Sequence, residues 1–135
     1  MTHYLRYCCA MLFALFSFLL ATPLSAQAQT REAYVSQSED KTTLTFYYDA
    51  LRATRTGTTW GIEETKKEGD IPVPAWAGTS QEVDTTTTRV VFDASFRDFR
   101  PTTTAKWFYC CEALKQIEGL ECLNTSEVKD MGYMF

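Results

Sequence analysis

The feature that most limits what this chain can fold into lies at its start. Residues 10–21, AMLFALFSFLLA, form an unbroken apolar run behind a positive stretch that carries Arg6. Pro23 ends the run, and Ala26-Gln27-Ala28 sets small residues at the spacing of a secretory cleavage site. The run is short for a bilayer span, which needs about 20 residues. Residues 1–28 are therefore read as a signal peptide, with Ala26 and Ala28 forming its cleavage site; an uncleaved anchor is the alternative. That leaves 107 of the 135 residues to build a core, enough for one small domain. No second apolar run follows. The sequence thus predicts export to the periplasm, cell surface or extracellular space, with no transmembrane segment after signal removal.

Losing the leader also removes chemistry. It takes His3, the sole histidine, together with Cys8 and Cys9. A chain without histidine has no Ser-His-Asp triad, no Cys-His dyad and no histidine-based zinc site. The remaining 12 basic and 17 acidic residues leave a net charge of −5 and no basic stripe, so nucleic acid is excluded as a partner. Cys110, Cys111 and Cys122 lack a CxxC spacing, so no metal site and no cofactor are expected. They read as small buried apolar residues. A Cys111–Cys122 bridge with one free thiol is the alternative in an oxidising compartment.

Along the mature chain, residues 29–40 are polar and read as unstructured. In Thr42 to Asp49, Leu44, Phe46 and Tyr48 alternate with Thr43, Thr45 and Tyr47, which predicts a strand with one buried face. Thr58 to Ile62 reads as its partner strand. Residues 63–70 read as a charged loop, and 71–78, with two prolines, as an irregular segment. Arg89 to Phe96 is β-branched and apolar and reads as a buried strand. The period then changes. Thr104, Trp107, Phe108, Cys111 and Leu114 share one face of a helix that opens after Pro101. Lys115 to Glu121 reads as a short strand with Ile117 and Leu120. Asn124-Thr125-Ser126 offers a cap for a second helix with Val128, Met131, Met134 and Phe135 on one face. Offsetting the chain by 27 residues aligns Val90 with Ile117, Phe96 with Leu123, Trp107 with Met134 and Phe108 with Phe135, a spacing in the leucine-rich-repeat range.

The string IEGLECLNTSEVKDMGYMF resembles the opening repeat of the BspA-type leucine-rich-repeat surface proteins, exported proteins of gut and oral Gram-negative anaerobes. Leu120, Leu123, Asn124, Thr125, Ser126, Val128, Asp130, Met131, Met134 and Phe135 fit that repeat, and Phe108, Cys111 and Leu114 fit its resumption. Upstream, TTLTFYYD, VVFDASF and RPTTTAKWF are similar to the segment preceding the repeats. The resemblance implies an α+β chain. Residues 29–88 would be a β-rich lead-in unit, and 89–135 the first strand and short-helix turns of a solenoid. Such a stack needs about three repeats, so the chain is expected to be the amino-terminal piece, or a truncated member, of a longer protein.

The resemblance implies a non-enzymatic function in adhesion or protein–protein contact, with a host or bacterial surface protein or a glycan as partner. The strand face usually carries binding in such proteins, which singles out Lys115, Gln116 and Glu118. Two other classes stay open. Trp76, flanked by Pro74 and Gly78, is the best exposed aromatic for a carbohydrate-binding module; Trp60, Trp107, Tyr47 and Tyr48 are the others. Glu63, Glu64 and Asp70 offer paired carboxylates for a histidine-free hydrolase.

Overall fold

The computed structural model describes residues 30–135, so the proposed leader and its cleavage site at Ala26 and Ala28 lie outside the described residues. Seven strands follow in order: β1 (Glu32–Gln37), β2 (Thr43–Asp49), β3 (Thr59–Gly61), β4 (Thr65–Glu68), β5 (Ile71–Pro74), β6 (Arg89–Phe92) and β7 (Gln116–Glu118). Five of them form a mixed sheet in the order β3-β1-β2-β6-β7, and β4 and β5 form a separate hairpin. β3, β1 and β2 run antiparallel, whereas β2, β6 and β7 run parallel.

The alternation in β2 sets the core. Leu44 and Phe46 are fully buried, and Phe46 sits at its centre. Its ring stacks on Trp107 at 5.1 Å, lies 4.8 Å from Phe92, and meets Trp76, Phe96 and Phe108 edge-on. Ala33, Val35, Val90 and Cys122 complete the cluster, so strands from both sides of residue 88 share one sheet and one core. No described helix is long and apolar enough to cross a membrane.

The expected α+β solenoid of strands and short helices is not formed. The described residues contain no α-helix, only three short 3-10 turns, at Arg52–Thr54, Ala94–Asp98 and Leu120–Cys122. The backbone shows why the segment after Pro101 is not helical. Lys106 and Cys110 take left-handed φ values of 59° and 51°, which interrupt any α-helix. Trp107, Tyr109 and Cys111 donate three residues back, to Thr104, Lys106 and Phe108. The intervening N–H groups of Thr104, Lys106 and Phe108 donate instead to Asp130, Gly132 and Met134. Successive tight turns carry an apolar spacing like that of a helix, so Thr104, Trp107 and Phe108 are still buried. The second expected helix is likewise a series of turns. Asn124 does accept from Ser126 N–H at 3.0 Å, but no helix follows; Met131 and Phe135 are exposed, and Val128 and Met134 are half-buried.

Other elements also differ from expectation. Residues 32–37 form the strand paired on both sides in the antiparallel part of the sheet, and β3 pairs with β1 rather than with β2. The charged loop and the proline segment pair as β4 and β5. A two-stranded hairpin has a free edge on each strand, where Pro72 and Pro74 cost no ladder bond. The 27-residue offset survives as a register: Val90 pairs with Ile117, Asp84 bridges Cys111 and Thr103 bridges Asp130. Residues 111–135 thus lie outboard of 84–108 as one further layer.

Candidate functional site

The outer edge of β7 is one of the two open edges of the five-stranded sheet. Among the described residues β6 is its one strand neighbour. Gln116 N–H donates to Thr88 carbonyl at 3.2 Å, so the parallel alternation turns the N–H and carbonyl of Ile117 towards the open edge. Gly119 ends the strand with φ +68°, and a Cβ there would lie 2.2 Å from the Phe92 carbonyl oxygen. Only glycine permits that approach.

Beneath the edge lies a groove of about 400 Å³ lined by Phe108, Leu114, Ile117 and Phe135, with Glu112 and Lys115 along it. The Phe108 and Phe135 rings lie 5.5 Å apart, with Phe135 72% exposed. On the opposite face of β7, Arg89 Nε donates to Glu118 at 3.0 Å and Gln116 Nε2 donates to the same carboxylate at 2.7 Å. Arg89 is the first cause that holds the Glu118 carboxyl below its usual range, so this face is charged at neutral pH.

The structure therefore brings Lys115, Gln116 and Glu118 onto one open edge. It also places Phe108, Leu114 and Phe135 in the groove wall, where the sequence suggested helix core. Cys111 lines the same groove, its thiol 3.9 Å from Asp84. Burial pushes that thiol up to about 11, which favours its protonated form at neutral pH. Cys110, Cys111 and Cys122 are all free. Among the described residues no group of three metal-ligating side chains occurs. Glu112 and Arg89 escaped sequence reasoning; the 27-residue register sets Arg89 beside Gln116 of β7 and was the signal for Arg89.

Trp76 is not an exposed platform. It is 4% exposed, packs edge-on against Phe46 and Trp107, and its Nε1–H donates to the Trp107 carbonyl at 2.9 Å. Trp107 is buried beside it, and Trp60 is half-buried against the same core. Tyr47 stacks on Tyr34 and is covered by the Arg55 guanidinium at 3.7 Å. Of the three carboxylates, Asp70 does not join the other two. Glu63 and Glu64 line a second groove of about 340 Å³, but Glu64 is held by Arg52 at 2.8 Å and by Gly61 N–H. Asp70 lies in the turn between β4 and β5. No family model matches this chain, and neither the curated proteins nor the solved structures give a match.

Proposed function

We propose that this chain is an exported, non-catalytic surface protein that makes protein–protein contacts through the β7 edge. An extended segment of the partner would add there as a sixth strand and set an apolar side chain into the groove below. The observation that carries this reading is the pairing of an open strand edge with an apolar groove directly beneath it. The main-chain bonds of an added strand give affinity, and the groove under alternate side chains gives selectivity. The resemblance to the BspA-type surface proteins adds adhesion as the setting for such contacts.

The probe is a phage-displayed library of random 12-residue peptides. The variant is Ile117→Pro, which removes the outward N–H without taking a ladder bond from β6. The wild-type chain should enrich peptides with alternating apolar residues, and these should bind the variant at least about tenfold more weakly. Thermal unfolding confirms that the variant is folded. Failure to enrich peptides, or equal binding to a folded variant, would overturn the proposal.

A further inference from the structure

We infer that the occupant of the β7 edge is a second copy of this chain, added antiparallel about a two-fold axis through Ile117. This rests on the edge reading above and names its partner. Three observations converge on it. The first is the backbone. The outward N–H and carbonyl of β7 belong to the same residue, Ile117, because Gln116 N–H is already spent on Thr88. Two copies related by a two-fold at that residue exchange both bonds, the closely spaced hydrogen-bonded pair of an antiparallel ladder.

The second is charge. Centring the register on Ile117 sets Gln116 opposite Glu118 of the other copy, and Lys115 opposite Gly119. No like charges face each other, and an amide donor meets a carboxylate twice. Arg89 already neutralises each Glu118 from the neighbouring strand. Val90, the partner of Ile117 in register, is fully buried, so Ile117 points to the groove side while Gln116 and Glu118 point to the other. The two grooves therefore meet on the same side of a continuous ten-stranded sheet.

The third is the distribution of exposed apolar residues. Leu120, Met131, Tyr133 and Phe135 are 54%, 51%, 76% and 72% exposed. All four belong to the outermost described layer, residues 111–135; the other two exposed large apolar residues, Leu51 and Ile71, lie elsewhere. The N–H groups of Thr104, Lys106 and Phe108 bind residues 130–134 as β6 binds β7, which places that segment at the same end of the molecule. The two-fold that pairs β7 with its copy brings this layer against its own counterpart. A closed two-fold also removes the open edge from both molecules, whereas a head-to-tail arrangement would leave edges to propagate.

Sedimentation velocity of the mature chain across a concentration series tests this, with two variants of opposite sign. The wild type should reach the mass of a dimer. Gln116→Glu sets two carboxylates opposite Glu118 and should raise the dimer dissociation constant about tenfold; Gln116→Lys should lower it. A monomer at every concentration overturns the inference, as does a dimer that responds alike to both substitutions. A monomer that still enriches peptides at its edge would refute the second copy alone and leave the edge reading standing.

Discussion

At the residue scale, Tyr34 is a buried polar group held by two charged side chains. Its hydroxyl donates to Asp49 at 2.7 Å and accepts from Arg55 Nε at 2.9 Å, and the residue is fully buried. Burial first, and then the bond to Asp49, push the phenol from 10.0 up to about 12. The fold thus favours the protonated form, and this contribution is whole below pH 10. It should be lost as pH rises from 10 to about 12, because the unfolded chain ionises first. Urea unfolding between pH 9 and 12 should show stability falling in that window, and Tyr34→Phe should flatten that fall. An identical slope in the variant would show that Tyr34 does not carry it. The same residue explains one gap between sequence and structure. Ala33, Tyr34, Val35 and Ser36 are all buried, Tyr34 under Arg55 and its neighbours on the core. Burial on both faces erases the two-residue period by which β2 announces itself, so β1 reads as featureless.

At the element scale, β1 and β3 differ in what a proline would do. β1 is hydrogen-bonded on both sides, to β2 and β3. Val35→Pro therefore removes a ladder bond from the sheet interior and should leave no cooperative unfolding transition by circular dichroism. β3 is an edge. Its flanking bonds fall at Thr58 and Ile62, so the Thr59 N–H points outward. Thr59→Pro should keep a cooperative transition; its loss would mean that β3 is also paired on its outer side. β2 was legible because its apolar residues repeat in step with a single buried face, and β6 because Val90, Val91 and Phe92 form a continuous apolar run; the strand expected to reach Phe96 ends at Phe92, where Asp93 caps a 3-10 turn. The turns after Pro101 were not legible. Their three-residue hydrogen bonds reproduce the spacing of an α-helix, and the left-handed residues that distinguish them are a lysine and a cysteine rather than glycine. Lys115, Gln116 and Glu118 were singled out through the resemblance as the polar residues of a short strand, and Gln116 and Glu118 do lie on β7 with Lys115 just before it. The groove beneath them was not, since Phe108 and Phe135 meet only through a register between distant turns.

At the scale of the whole molecule, the sheet is completed across residue 88. Leu44 and Phe46 of β2 are covered by β6 and by the Trp76, Trp107 and Phe108 rings rather than by the strands that precede them. A chain of residues 30–88 alone should therefore lack a cooperative thermal transition and dispersed amide resonances. The chain of residues 29–135 should show both. A well-dispersed spectrum from the shorter piece would mean that the first three sheet strands hold their own core.

The parallel pairing of β2 with β6 also has a kinetic side. Thr43 lies beside Arg89, and the intervening chain contains β3 and the β4–β5 hairpin. The β1–β2 hairpin can zip up locally within microseconds. Its other flank, with Leu44 and Phe46, then waits for a loop of more than 40 residues to close. Refolding should accordingly be slow, in the millisecond-to-second range of sheets built from distant strands. Throughout that wait Leu44 and Phe46, the centre of the future core, are bare, which makes the interval just after synthesis its most aggregation-prone moment.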